Sequence, residues 1–570
     1  MADAAVALAA LRPPGPLRRG DVALCWKLQP SRCQNTPTMA DRASQGESER
    51  RKGRDEDDSP KPKAEAKERS GNGNGDGRDR ASGNLPPAAP ESEPAKRGSR
   101  TASIPPPRAS RPPPPPTSST KVDKEAEEPQ HPSIPPLPAA GPWRSYKEIV
   151  AGLAQRIVDS QKELRVLQAI RWENDVEEQF KKSRYREMPK VDASYYERQP
   201  LGFDPAAKVA VFEEIARDVD RELGETDAIG AILGRTALEY RDVARMLAAR
   251  GTPLFYAYSR KLYGSPKDKF PDGIATLRDL GHLLYEILTN IDDSLLGMQY
   301  ERNIPAAEAA AELNQRFTSY FGDATVRVEI DDTILSDAAA GSDYVKVRSG
   351  AMFSQRDIDI LEVHEGWVHV ATSLNGQAQT VARWLAKGPP RTTTVQEGLA
   401  ALCEIFTFRT YPRRARRLND RVLAVDKAED GANFLDVFEW FRTEGYDEDE
   451  CFHNTRRIFR GGVLDGGAPF TKDACYCKGV VLNYAFIRSA IQHNRVDLLP
   501  FLFVGKVAHE DVPVLARRVN DGVVKPPRYL PPMFRDLNGL AIWMAYSTFF
   551  TRLGGDAISD YYAKLFARAG

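Results

Sequence analysis

The apolar positions follow two rhythms along the chain. From residue 143 to about 320 they recur every three to four residues, as in Ile149, Leu153 and Ile157, then Leu164 and Leu167. This is the spacing of helices that bury one face. The same rhythm predicts helices around 205–222, 227–250, 274–291 and 305–320. Thr252-Pro253 reads as an N-cap followed by proline at the first helical position. The period then drops to two. Val326, Val328 and Ile330 alternate with Arg327 and Glu329, and Tyr344-Val345-Lys346-Val347-Arg348 repeats the alternation. Both predict half-buried strands. Helical spacing returns after Ser354, which suits an N-cap, and recurs near 394–410, 430–446, 471–492 and 535–552. No internal repeat is present. The expected fold is therefore α+β, predominantly helical, with a small sheet leading into the helix after Ser354. An exposed edge strand there could hydrogen-bond an extended peptide.

The first 142 residues follow neither rhythm. They hold 25 of the 42 prolines and one aromatic residue, Trp26. Such a segment cannot bury enough apolar area to offset the entropy of ordering it. Residues 1–142 are thus expected to be a disordered, Pro-, Ser- and charge-rich tail. Its Pro112–Pro116 run should form polyproline II, a stiff spacer or a ligand for an SH3-like module. The rest divides by pattern into a helical part, 143–320, and a core with C-terminal helices, 321–570.

Charge narrows the choice of partners. Lysine plus arginine and aspartate plus glutamate number 80 each, so no net charge points to nucleic acid or to a membrane surface. No apolar run reaches the ~18 residues of a membrane span. The apolar opening, Met1 to Leu11, lacks the basic flank of a signal peptide and runs into Arg12-Pro13-Pro14. The six cysteines form no C-x-x-C pair, and Cys475 and Cys477 are spaced C-x-C. Reduced thiols in a cytoplasmic protein account for them.

The chemistry concentrates in Ile360-Leu361-Glu362-Val363-His364-Glu365-Gly366-Trp367-Val368-His369-Val370. Two of only seven histidines stand here, with a glutamate directly after the first. Histidine, glutamate and histidine in that order suit a zinc hydrolase helix. The imidazoles bind the metal and the glutamate takes a proton from a water at the open position. The spacing is one residue longer than H-E-x-x-H. In a regular helix an i, i+5 pair is splayed by roughly 140°, too far for one metal. One π-turn would close the angle to roughly 50°, and Gly366 could ease the distortion.

A third ligand is expected from a glutamate on a later helix. Glu397, in Thr394-Val395-Gln396-Glu397, is the candidate, although the same residues could form a capping box. Glu404, seven residues on along the same face, is the rival.

Val395-Gln396-Glu397-Gly398-Leu399-Ala400 resembles the hallmark of the QEGLA-motif proteins, labelled modulators of flavohaemoglobin expression. These are the bacterial branch of the microtubule-associated tyrosine carboxypeptidase family, which shares an H-E-x-x-x-H site. Thr372-Ser373-Leu374-Asn375-Gly376, Arg460-Gly461-Gly462 and Phe470-Thr471-Lys472-Asp473 with Tyr476 also look like that family. The resemblance covers roughly residues 145–570. It implies an atypical gluzincin, a zincin-like metallopeptidase fold with one Zn2+ per chain on His364, His369 and Glu397. Glu365 would be the catalytic acid/base and a peptide or protein C-terminus the substrate. A carboxypeptidase must anchor a terminal carboxylate, which arginine and lysine do through charge-assisted hydrogen bonds. Lys472, Arg460 and Arg456 are the candidates, with Tyr476 as a neutral donor. Two other readings keep part of this picture: a zinc amidase acting on a peptide-like small molecule, and a regulatory protein with a relict metal site.

Overall fold

The computed structural model describes residues 145–568, leaving out 297–299, 323–325, 333, 335, 554 and 555. The tail, with its Pro112–Pro116 run, and Trp143 lie outside the described residues.

The described chain is predominantly helical, and the apolar rhythm located most of its helices. The helix Tyr146–Gln161 starts in a Ser145/Glu148 capping box. The helices Pro205–Leu223 and Ala228–Ala248 begin at the aspartate caps Asp204 and Asp227. Helices Pro253–Tyr263, Leu277–Thr289 and Ala306–Phe321 follow. Thr252 stands at the N-cap position, but its side chain makes no capping bond.

Five short strands form two small sheets: β1 (Ile304–Pro305), β2 (Arg327–Asp331), β3 (Ala338–Ala340), β4 (Tyr344–Arg348) and β5 (Met352–Phe353). β1 pairs with β5 antiparallel. β4 is the central strand of the other sheet, parallel to β2 and antiparallel to β3. Its alternation is visible in burial, since Val345 and Val347 are fully buried. β3 escaped the sequence pattern because Ala338-Ala339-Ala340 shows no contrast between its two faces.

After β5, Ser354 and Asp357 form a capping box at the head of the helix Gln355–Leu361. The chain continues without a break through Glu362–Val370 and Ala371–Gln377. Two hydrophobic clusters hold this long element. Val363, Trp367 and Val368 join the largest core, with Phe212, Leu399 and Phe503. Val370 and Ala371 join a second core with Phe317, Val345 and Phe353. The largest core draws on residues from both sides of position 320.

The helix Arg391–Phe406 runs beside the helix Cys475–Gln492, and at one point they touch backbone to backbone. A Cβ on Gly398 would lie 2.1 Å from the carbonyl carbon of Gly479, and one on Gly479 would lie 2.0 Å from the Thr394 carbonyl oxygen. Only glycine fits at such a crossing. No described helix is long and apolar enough to cross a membrane.

Candidate metal centre

Residues Glu362–Val370 form a π-helix. The amide of Ala371 donates to the carbonyl of Gly366, five residues back, where an α-helix would reach four. The wider turn brings the His364 and His369 rings to a centroid separation of 4.9 Å. The expected π-turn is therefore present, but Gly366 has a different reason for being there. A Cβ at this position would come within 2.3 Å of the Phe317 ring, so Gly366 admits the helix Ala306–Phe321 against the π-segment.

Glu397 closes the set. Its Oε2 lies 3.8 Å from His364 Nε2 and 3.6 Å from His369 Nε2. Ligand atoms of all three residues lie within 4.8 Å of one another. The capping-box alternative for Glu397 fails because its helix starts earlier, at Arg391, which leaves Thr394 inside the helix.

Glu404 is not a ligand in this arrangement. One of its oxygens lies 2.7 Å from His364 Nδ1, and Arg414 grips both, with Nε and Nη2 each at 2.6 Å. A carboxylate can only accept, so Nδ1 carries the proton and Nε2 is turned toward His369 and Glu397. Histidine ligands are commonly held in this way by a carboxylate behind them.

The electrostatics fit a cation at the convergence point. Burial favours a neutral His364 ring, yet Glu397 and Glu404 outweigh it and raise its pKa to about 10. Burial likewise favours protonation of Glu397, and Lys472 with the two histidines instead holds it well below the usual carboxylate range. Glu404 is brought down to about 2, Arg414 outweighing its burial. Two buried carboxylates thus stay ionised beside the two imidazoles, with Lys472 and Arg414 as their positive partners. With two nitrogens and one oxygen as donors, the set has the composition of a catalytic zinc site.

The polar residues around this core divide into three groups. Glu365 is buried, and its Oε2 accepts a hydrogen bond of 2.9 Å from the Ala340 amide on β3. Lys472 Nζ lies 3.1 Å from Glu397 Oε1, the oxygen turned away from the histidines, and 5.5 Å from the Tyr476 ring centroid. Burial and the Glu397 charge raise Tyr476 to about 12, so its phenol stays protonated. Arg460 is buried over the Phe470 ring and among the described residues has no carboxylate in ion-pair contact. Arg456 is turned elsewhere, toward His453 Nδ1 at 2.8 Å and Glu177 at 3.6 Å.

Arg414, Lys506 and the Arg457–Asp473 pair are brought to the site by the fold, and no periodic pattern in the sequence marks them as site residues. Arg414 lies in Arg413-Arg414-Ala415-Arg416-Arg417, where nothing separates one arginine from the next. Lys506 did carry a signal, as the one charge in the apolar run from Leu498 to Ala508. Its buried Nζ donates to the His369 carbonyl (3.0 Å), Thr372 Oγ1 (2.9 Å) and Gln396 Oε1 (3.0 Å), so it ties the metal helix to the QEGLA helix. Burial lowers its pKa to about 7, although Glu397 and Glu365 oppose the shift. Arg457 grips Asp473 with Nε at 2.6 Å and Nη2 at 3.0 Å, just after Lys472 in the chain.

The remaining motif residues are structural. The Asn375 amide donates to the carbonyls of Phe503 and Tyr529, while its oxygen accepts from the amides of Arg528 and Tyr529. Gly461 has φ +79°, and a Cβ there would meet the Phe255 ring at 2.3 Å.

A helical protein with two histidines on a π-segment, a glutamate from a second helix closing on them, and another glutamate beside the first histidine has the site of a candidate metallohydrolase. The family model for microtubule-associated tyrosine carboxypeptidase matches residues 178–552, and the chain belongs to that family. The match is narrower than the resemblance read from the motifs, starting after the helix Tyr146–Gln161 and stopping at Arg552. No curated protein matches the chain.

Proposed function

We propose that this chain is a zinc-dependent metallocarboxypeptidase that removes the C-terminal residue of a peptide or protein. The observation that carries the reading is the convergence of His364, His369 and Glu397, with Glu365 adjacent to the first ligand. These three residues would hold one Zn2+ per chain, and a bound zinc supplies Lewis acidity toward a carbonyl and toward water.

Glu365 is the general base and then the general acid. It takes a proton from the attacking water and returns it to the leaving amine. The Ala340 amide fixes Glu365 Oε2 against β3, and that contact sets where the substrate lies. Asp337, Ala339 and Gly341 turn their peptide groups toward β4, as the Arg348–Asp337 and Gly341–Tyr344 bonds mark. Ala338 and Ala340 therefore turn theirs to the open edge. An extended peptide beside that edge runs its scissile bond past Glu365.

Lys472 anchors the terminal carboxylate. An ammonium has three protons, and the Glu397 contact uses one of them. Tyr476 and Arg460 complete the anchor, whereas Arg456 contributes less because His453 and Glu177 already hold it. The family takes its name from a tyrosine carboxypeptidase, and an aromatic C-terminal residue is the first side chain to test. A cytoplasmic location belongs to the same reading, supported by four free cysteines among the described residues.

The test has two parts. Metal analysis of the purified chain should find about one zinc per chain. A peptide library with free C-termini should then lose single terminal residues, while the same peptides as C-terminal amides should not. Equal cleavage of acids and amides would replace the carboxypeptidase with an amidase or endopeptidase. Absence of stoichiometric zinc would remove the metal assignment.

A further inference from the structure

The last two helices present an apolar surface that the rest of the described chain leaves uncovered. Of the 26 large hydrophobic side chains exposed among the described residues, 11 lie between Ile542 and Phe566. Ten of them, all but Trp543, fall into two stripes. On the helix Asn538–Arg552 and just after it, Ile542, Tyr546, Phe549, Phe550 and Leu553 recur at i, i+4, i+7, i+8 and i+11. On the helix Asp556–Phe566, Ile558, Tyr561, Tyr562, Leu565 and Phe566 recur at i, i+3, i+4, i+7 and i+8. Each is the pattern of a helix that buries that face.

The first helix is anchored by its other side. Leu540 and Met544 are buried in the main core, Trp543 packs on Phe406 at 5.2 Å, and Ser547 is bonded to Tyr484. Its stripe therefore points away from the body. The second helix has no such anchor. Every side chain described on it is exposed, and its ring contacts, Tyr561–Tyr562 and Tyr562–Phe566, are internal. A helix of 11 residues is marginal in water unless something packs on its apolar face.

We infer that a second copy of this chain covers these stripes. The dimer is symmetric, with the Ile558–Phe566 stripe of each copy lying on the Ile542–Leu553 stripe of the other. Two observations favour this occupant. The first is area: the ten stripe side chains are 45–69 % exposed, and apolar residues of this size present on the order of 1,000 Å² per copy. A stable dimer buries roughly 800 Å² per partner, so the surface suffices with some to spare. The second is charge. A helix that lies on a membrane is rich in Lys and Arg on its polar side. Here the Ile558 helix has Asp560 beside Lys564, the Ile542 helix has only Arg552, and the whole chain has no net charge. Two complementary stripes on consecutive helices also close under a two-fold axis, as an isologous interface requires.

Sedimentation equilibrium of the full chain tests this. The wild type should show twice the 63.3 kDa chain mass, with the monomer appearing on dilution. Phe549→Asp on the first stripe and Tyr561→Asp on the second should each give 63.3 kDa, since each breaks both reciprocal contacts. Tyr561 is 63 % exposed and its ring contact is to Tyr562 on its own helix, so its variant should keep the wild-type thermal midpoint and zinc content. A wild type that stays monomeric at every concentration overturns the proposal, and so does a dimer that survives both substitutions. A monomer that floats with phosphatidylcholine–phosphatidylserine vesicles overturns it in favour of a lipid surface.

Discussion

His364 and His369 stand on one π-segment, yet the two sides of the site hold them differently. His364 is fixed through its ring: Glu404 holds Nδ1 and Arg414 holds Glu404, all of them buried or nearly so. His369 is fixed through its backbone. Its carbonyl accepts from Lys506 and from Ser373 Oγ, and Lys506 also reaches the Gln396 side chain beside Glu397. The first arrangement sets the tautomer and direction of one ligand. The second sets the distance between two helices, and so the gap that a metal must bridge. Loss of one should change the quality of a ligand, whereas loss of the other should loosen the whole set.

The largest expected effect makes the two sides equal. His364→Ala and His369→Ala should each abolish stoichiometric zinc, read by plasma mass spectrometry, because two donors cannot hold zinc as three do. Retained zinc in both would remove the assignment. Next is Glu365→Gln, which leaves the three ligands untouched. Metal should stay, and turnover should fall by at least the ~10²-fold that general acid–base help provides. Turnover at the wild-type rate with metal bound would place the base elsewhere.

Glu404→Gln separates the two sides. It removes the charge behind His364 and leaves buried Arg414 without its partner, so zinc affinity should fall by roughly 10- to 100-fold. Competition with a chelator measures it, and an unchanged affinity would reduce Glu404 to a partner of Arg414 alone. Lys472→Ala should cost about 10- to 100-fold in kcat/KM on free-acid peptides, the worth of a charged hydrogen bond, with little effect on amides. Its contact with Glu397 Oε1 adds a second readout. If Lys472 chiefly orients the third ligand, zinc affinity falls and acids and amides suffer alike. Lys506→Met should have the smallest effect, a several-fold loss of zinc affinity. Its mark should be faster amide exchange at Thr372 and Gln396, since Lys506 joins the helices on which they stand.

The contrast also explains what the amino-acid order revealed. Most of the helices, the two alternating strands, the Ser354 cap and even the π-turn were legible, because each depends on local spacing, whereas Glu397 stood ahead of Glu404 only through the family resemblance. The partners of the three donors were not legible. Arg414 reaches Glu404 from the next helix, and Lys506 reaches His369 across 137 residues; neither distance leaves a periodic trace. Glu404 stood only as a rival to Glu397, since position on a helix face does not show whether a carboxylate meets Nε2 or Nδ1. The glycines misled in a similar way. Gly366 and Gly398 suggested backbone freedom and motif chemistry, but their neighbours, the Phe317 ring and the Gly479 backbone, show that each is small for the sake of another helix.

The π-segment has a consequence for how this site could change over evolutionary time. Relative to an α-helix it contains one residue too many, so its counterpart is a deletion and not a substitution. Removing one residue from Gly366–Val368 would restore the H-E-x-x-H spelling and leave both imidazoles on one face of an ordinary helix. Because the wider turn already absorbs the extra residue, everything downstream would keep its place to within about 10° about the axis. Asn375, six residues past His369, would keep the four backbone groups it now clips around Phe503 and Arg528–Tyr529. The two spellings are therefore one deletion apart on the same fold, and the seam that seats the helix is compatible with both.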